Sequence, residues 1–336
     1  MGAAEPMSRL RLPRIKHRDL HGIVLLDKPI GLSSNQALQS VRRLLRASKG
    51  GHTGALDPLA TGLLPLCFGE ATKLAGSLLG ARKAYVADCR LGITTDSADC
   101  EGDIVQQRVV PLLDDARIEA ALAKLRGRIT QVPPVYSAIK QDGERLYAKA
   151  RRGETIDVPP REVDVHRLDL LSRDTETLQL YVECGSGTYV RSLAVDIGED
   201  LGCGAHLTAL RRLWVEPFRE PRMVTLEELQ QAAEHGDEAL LAHLLPISAG
   251  LTDLPAVQLD EPQSMAISRG QPIQLTPTPP AGCCVAYASD GALLALLELD
   301  VEGRTRILRG FNLPPDDKFV LMDHGALVET PRPSVE

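Results

Sequence analysis

The sequence predicts a two-domain protein that mixes helices with strands. Three observations carry this expectation. Apolar residues alternate between short buried-strand runs and helical spacing up to about residue 249. The composition then changes: seven prolines fall between Pro246 and Pro280, and short strand-like runs follow. The length of 336 residues suits two domains.

The elements follow in order. Gly22–Asp27 (GIVLLD) is an apolar run bounded by polar residues, which reads as a buried strand, and Lys28-Pro29-Ile30-Gly31 ends it as a turn. Ser33 with Gln36 forms a capping box for a helix over 34–47. Leu38, Val41, Leu44 and Leu45 share one face of it, Arg42, Arg43 and Arg46 the other, and Gly50 closes it. A Gly-rich loop comes next. Residues 84–93 read as a strand, 94–103 (TTDSADCEGD) as a polar loop and 115–126 as a helix. Val132-Pro133-Pro134-Val135-Tyr136 is extended, because consecutive prolines cannot occupy a central strand. A basic, helix-like stretch spans 143–152. Residues 177–184 alternate as a strand, Gly185-Ser186-Gly187 turns, and a helix runs from Tyr189 to Leu201 with Val190, Leu193, Ala194 and Ile197 inward. A further helix covers 225–234. Beyond 250, strands at 283–288, 292–299 and 304–309 are separated by turns at Asp290-Gly291 and Glu302-Gly303.

No uncharged apolar run reaches 18 residues, and the basic N-terminus lacks a signal-peptide core, so neither a membrane span nor secretion is expected. The seven cysteines are odd in number and contain no CxxC, which argues against a disulfide framework and a zinc site and fits a reducing cytoplasm. The net charge of −7 is uneven: residues 250–336 hold 12 acids and 6 Lys/Arg, and the remainder 33 and 32. Three local basic clusters remain in the larger part: Arg42, Arg43, Arg46 and Lys49; Arg145, Lys149, Arg151 and Arg152; Arg211 and Arg212. Each fits a solvated face, and together they leave polyanion binding open.

The residue that least suits a structural reading is Asp57, in GHTGALDPLATGLLPL over 51–66. Pro58 pushes it out of helical backbone, Gly51 and Gly54 permit close approach of another chain, and leucines flank it. A carboxylate among apolar neighbours needs a permanent cation to stay ionised. Arg191, just after the Gly185–Gly187 turn, is the best candidate, although a surface arginine fits the same spacing. Tyr189 lies two residues before it; Tyr85, beside Arg82 and Lys83, fits base stacking or core packing. His52, five residues before Asp57 on the same Gly-rich loop, fits acid–base work or solvation. Asp96, Asp99, Glu101 and Asp103 lack calcium-loop spacing and read as surface acids. No phosphate loop, dinucleotide fingerprint, serine elbow or HExxH is present. Spacing alone thus stops at a cytoplasmic two-domain α/β protein with an active-site aspartate, RNA binding left open.

The ordered segments GIVLLDKPIGLSS, GHTGALDPLATGLLPLCFGEATK, KAYVADCRLGITTDSAD, VPPVYSAIK, GSGTYVRSLAVDIGEDLG and GAHLTALRRL resemble the bacterial TruB family of tRNA pseudouridine synthases over about residues 20–215. The resemblance implies an α+β fold: a mixed, largely antiparallel sheet flanked by helices, plus a small β-rich PUA-like domain. It implies isomerisation of uridine 55 in the T loop of tRNA to pseudouridine, an intramolecular transfer without cofactor or metal, by a cytoplasmic monomer. Asp57 falls on the family's essential aspartate and Arg191 on its partner arginine. Tyr85 matches the tyrosine that stacks on the target base, Tyr189 a second tyrosine near it, and His52 the histidine that holds the flipped loop apart. Asp99 matches a polar active-site residue; Lys28 and Pro29 match the motif packed near the catalytic loop. The expected organisation is a flexible basic tail at 1–19, a catalytic domain at 20–249, an RNA-binding domain at 250–323 and a disordered tail at 324–336. The small domain is acidic, so its removal is expected to weaken tRNA binding only modestly. A second reading is a tRNA-binding or folding module that acts independently of catalysis.

Overall fold

The computed structural model describes residues 17–76, 82–137, 140–141, 144–145, 152, 156–276 and 280–313. Of the tail expected at 1–19, residues 1–16 lie outside them, as does the tail expected at 324–336; Arg18 is described and forms a bridge with Ala47. The strands are β1 (Gly22–Lys28), β2 (Gly50–His52), β3 (Ala60–Phe68), β4 (Arg82–Leu91), β5 (Ile93–Thr95), β6 (Ile104–Gln107), β7 (Gly127–Gln131), β8 (Lys140–Gln141), β9 (Glu144–Arg145), β10 (Arg161–Arg173), β11 (Thr177–Gly185), β12 (Ala205–Val215), β13 (Ala256–Gln258), β14 (Gly282–Tyr287), β15 (Leu293–Leu299) and β16 (Thr305–Gly310). The helices are α1 (Ser34–Leu45), α2 (Asp115–Ala123), α3 (Val190–Asp200), α4 (Leu226–Glu234), α5 (Asp237–Leu241) and α6 (Glu261–Ser268).

The main sheet runs β1-β3-β12-β4-β11-β10-β7, with β2 added beside β3. Its pairs are antiparallel except β3 with β12, where Ala60–Gly62 lie parallel to Leu210–Arg212. A second sheet, β13-β14-β15-β16, forms the small C-terminal unit. This is the expected mixed, largely antiparallel architecture with helices and a small β-rich domain.

Strand periodicity explains why GIVLLD reads as unbroken apolar sequence. Val24 and Leu26 of β1, with Leu64 and Leu66 of β3, join the core beneath the helices. Ile23 and Leu25, with Leu63 and Cys67, point the other way and pack with Val285, Leu293, Leu296 and Phe311 of the C-terminal unit. Both faces of these strands are dry, as a two-sided apolar run requires. The small sheet therefore closes the back of the main sheet, and its deletion would uncover that face.

Several local expectations need correction. Residues 60–68 form a strand despite Gly62 and Pro65. Pro65 tolerates this because it falls between the segments of β3 paired with β12 and with β2, where no donor is needed. Helix α1 ends at Arg46 in the left-handed region (φ 53°), and Gly50 opens β2 instead of closing the helix. Where the stretch expected as helix over 143–152 is described, Glu144–Arg145 pairs with Lys140–Gln141 as a ladder. The Pro-rich segment contains α6, whose signal was legible: Asp260 and Gln263 make a capping box with Pro262 in the first turn.

Gly62 carries a specific constraint. Its φ is +94°, and a Cβ there would lie 2.2 Å from the Arg212 carbonyl oxygen. Gly62→Ala is expected to cost about 2–3 kcal/mol, read as a lowered midpoint in chemical denaturation.

Candidate active site

The loop between β2 and β3 presents Asp57, and its shape is fixed by three anchors. At the N-terminus of α1, the Ser34 hydroxyl accepts from the Leu56 N–H (2.7 Å) and donates to the Leu56 carbonyl (3.0 Å). In the turn after β1, Gly31 N–H donates to the Pro58 carbonyl (2.8 Å). Beneath, Arg212 donates from Nε to the Leu63 carbonyl (2.7 Å) and from Nη2 to the Gly54 carbonyl (3.3 Å). Leu56 and Leu59 are buried on either side of Asp57. The apolar neighbours thus seat the loop, while the Asp57 side chain keeps 39% of its surface open.

Arg191 enters from the first turn of α3. It is 3% exposed and has four partners. Nε lies 3.0 Å from Asp57 Oδ2, a charge contact without the alignment of a hydrogen bond. Nη1 lies 3.3 Å from Asp99 Oδ2 and donates to the Ser97 carbonyl (3.0 Å). Nη2 donates to the Tyr136 carbonyl (2.9 Å).

Asp99 is 3% exposed, which corrects its reading as a surface acid. The Ser97 hydroxyl and the Glu101 N–H donate to its Oδ1 at 2.6 and 3.1 Å. The backbone before it is strained: Ala98 sits at φ +63°, a conformation non-glycine residues seldom adopt. Asp96 is exposed, as expected of its loop.

The electrostatics of Asp57 oppose one another. Burial raises its pKa most, Arg191 lowers it, Asp99 raises it and Lys28 lowers it; the net direction is up. Lys28 is fully buried, and its ammonium donates to the carbonyls of Leu32 (2.6 Å), Pro29 (2.9 Å) and Pro58 (3.4 Å). Burial lowers its pKa to about 8. Lys28 thereby ties the turn to the Asp57 loop, and Pro29, exposed itself, supplies one of the carbonyls.

Tyr85 of β4 is 7% exposed, directly across the ladder from Arg212. Tyr189 caps α3 and is half-buried. Its N–H donates to Gln131 Oε1 (2.8 Å), its carbonyl accepts from Gln131 Nε2 (3.1 Å), and the Arg161 guanidinium lies 4.8 Å from its ring centre. His52 of β2 is half-buried. Its pKa is lowered by burial and then by Arg212, and its Nδ1 is enclosed without a partner among the described residues.

The structure brings Asp57, Arg191 and Asp99 into one contact network and packs Lys28 against the same loop. Sequence reading missed Ser34 and Gln131, whose roles are backbone tethers without a motif. It also placed Arg212 in a surface cluster, whereas that residue is fully buried. Its spacing beside Arg211, which pairs with Asp27 at 2.7 Å, concealed this: neighbours on a strand face opposite ways.

The sequence pattern of the TruB family pseudouridylate synthase N-terminal domain matches residues 42–190, and that of the tRNA pseudouridylate synthase B C-terminal domain matches 191–252. A tRNA pseudouridine synthase B of Xanthomonas campestris pv. campestris (strain B100) is 57% identical over 300 residues, 89% of this chain and 97% of that protein. One of Xylella fastidiosa (strain Temecula1 / ATCC 700964) is 54% identical over 302 residues, 90% and 99% of the two chains. Among solved structures, a chain of a Cbf5-Nop10-Gar1 complex has the same fold, with a TM-score of 0.67 and 24% identity over 86% of this chain and 84% of that one. The family patterns span the Asp57 loop, Arg191 and β2 to β12 of the main sheet, and the chain belongs to the TruB family of pseudouridylate synthases.

Proposed function

We propose that this protein isomerises uridine 55 in the T loop of tRNA to pseudouridine, with Asp57 as the essential carboxylate. The observation that carries this reading is the open Asp57 side chain held 3.0 Å from a buried arginine that is itself braced by a buried carboxylate. The family and the names of its relatives supply the substrate class; the position within tRNA follows from the motif resemblance.

The reaction breaks the N-glycosidic bond and forms a carbon–carbon bond to the same sugar. C5 of the uracil loses its proton and N1 gains one, so no redox partner is required. Attack on the sugar, attack on the base and abstraction of a sugar proton all need an ionised carboxylate. Arg191 favours that form against burial. A uridine inside a folded T loop must leave its stack to reach Asp57. Tyr85 is assigned to stack on the extruded base, Tyr189 to border it, His52, held neutral, to occupy the space it vacates, and Asp99 to orient Arg191. Lys28 and Pro29 hold the loop rather than touch the base. The acidic C-terminal unit contributes less to tRNA affinity than residues 20–249.

Asp57→Asn is expected to cut pseudouridine formation by at least about 10⁴-fold while tRNA binding persists. Tritium release from a labelled T-arm stem-loop measures the first and filter retention the second; wild-type turnover in the variant would refute the assignment. Tyr85→Ala should lose about 10–100-fold more activity than Tyr85→Phe, because stacking needs the ring face. Single-turnover rates of the two variants decide this.

The pKa directions give two further outcomes. Because the folded pKa of Asp57 is raised, its carboxylate is lost as pH falls through a value above the ordinary 3.8. The acid limb of the rate profile should lie above that of a free aspartate, and Arg191→Gln should move it higher, having removed the lowering influence. The same sign bears on stability. A raised folded pKa means the ionised form is disfavoured by folding, a penalty present at neutral pH and relieved as pH falls through the folded pKa towards 3.8. The stability of the wild type relative to Asp57→Asn should therefore rise as pH falls through the folded pKa, as followed by calorimetry across a pH series.

A further inference from the structure

Beside the catalytic loop lies a cationic pair to which the reading above gives no part in binding RNA. Lys83 and Tyr85 are two residues apart on β4 and so share a face of the sheet; Arg212 lies on the adjacent strand, across from Tyr85. Lys83 and Arg212 converge on Gly54. A Cβ at Gly54 would lie 3.7 Å from Lys83 Nζ and 3.9 Å from Arg212 Nη1. Gly54 is exposed, with φ +95°, so its Hα side is open where the two cations meet.

The pair is electrostatically unbalanced. Among the described residues, neither Lys83 nor Arg212 forms an ion pair with an acid. The nearby carboxylate of Glu183 is taken by Arg82. Arg212 spends its donors on the Gly54 and Leu63 carbonyls, which satisfy hydrogen bonds without cancelling charge. Burial, then Arg212, lowers the Lys83 pKa, so the two cations disfavour one another. Close by on the same loop, the Thr53 hydroxyl is 1% exposed and lacks a hydrogen-bond partner among the described residues. Desolvated cations are ordinarily paired, and a pair without an acid suits an external anion.

We propose that Lys83, backed by Arg212 and admitted by the bare Gly54 backbone, binds a backbone phosphate of the RNA at the nucleotide whose base meets Tyr85. This rests on the proposed function. Ammonium and ring stand side by side on one strand, a spacing of about 7 Å along the chain, which lets one nucleotide place its base on the ring and its phosphate on the ammonium. Lys83 is the direct ligand. Arg212 is a positioning residue, which holds the loop and adds its field from below. The glycine keeps the entrance free of a side chain.

The test compares the full-length protein with Lys83→Gln and Lys83→Arg, with binding of an unmodified T-arm stem-loop measured across a salt series. Each neutralised phosphate contributes about 0.7–0.9 to the slope of log K against log salt. Lys83→Gln should lower the slope by about that amount and weaken binding about tenfold or more at low salt; Lys83→Arg should retain the slope. The melting temperature of Lys83→Gln should not fall, because the change removes a cation from beside Arg212. A methylphosphonate at the target nucleotide should abolish the difference between wild type and Lys83→Gln. An unchanged slope in Lys83→Gln, with wild-type binding intact, overturns the phosphate site; a fall in melting temperature with that unchanged slope marks Lys83 as structural. Failure of the wild-type protein to bind the stem-loop overturns the functional reading instead, and this inference with it.

Discussion

One buried guanidinium organises this protein. Arg191 is almost wholly buried, so nearly all the charge and carbonyl partners around it must come from the chain. The partners come from four places: the loop after β2, the strained turn at Ala98-Asp99, the Ser97 backbone and the extended segment at Tyr136. None of these is adjacent to α3 in sequence. Each is drawn to the same point because a buried arginine lacking one of them would carry an unmet cost. The position of Asp57 is thus a consequence of satisfying Arg191 as much as the reverse.

This arrangement places two carboxylates on one cation, with unequal access. Asp99 is enclosed and hydrogen-bonded by Ser97 and Glu101, whereas Asp57 keeps an open side. The enclosed acid holds the arginine in place, and the open one is available for chemistry. The same division of labour recurs at the loop itself. Lys28, Ser34 and Arg212 spend their polar groups on backbone carbonyls and N–H groups, fixing a glycine- and proline-containing segment that has little regular structure of its own. A rigid frame around an irregular loop is what a site needs to keep a carboxylate in a fixed place.

Much of this was legible in the sequence. The strand at Gly22, the capping box at Ser33, the helix carrying Arg191 and the three C-terminal strands follow from local pattern, and the structure bears them out. The contact of Asp57 with Arg191 was legible from the physical need for a permanent cation. What escaped were features that depend on pairing. The strand at Ala60–Phe68 hides behind Gly62 and Pro65, which a local reading takes as breakers; only its neighbours β1, β2 and β12 show why both are tolerated. Arg212 looked like half of a surface cluster, because a one-dimensional reading does not assign strand faces. Asp99 looked like one acid among four, since its burial depends on the backbone conformation of Ala98. Gln131 belongs to no motif, for its task is to complete the backbone of another residue.

The close parallel contact between Gly62 and Arg212 has a consequence for how the protein comes into being. Residues 150 positions apart must meet before the underside of the catalytic loop is filled, and a pairing so distant in sequence is slow to form. On a ribosome, the first half of the chain emerges with Asp57 in water and its loop unsupported. Arg191 and then Arg212 arrive only near the end of the main sheet's synthesis. The costly step of drawing the carboxylate away from water is thereby deferred until Arg191, the cation in contact with it, has been made.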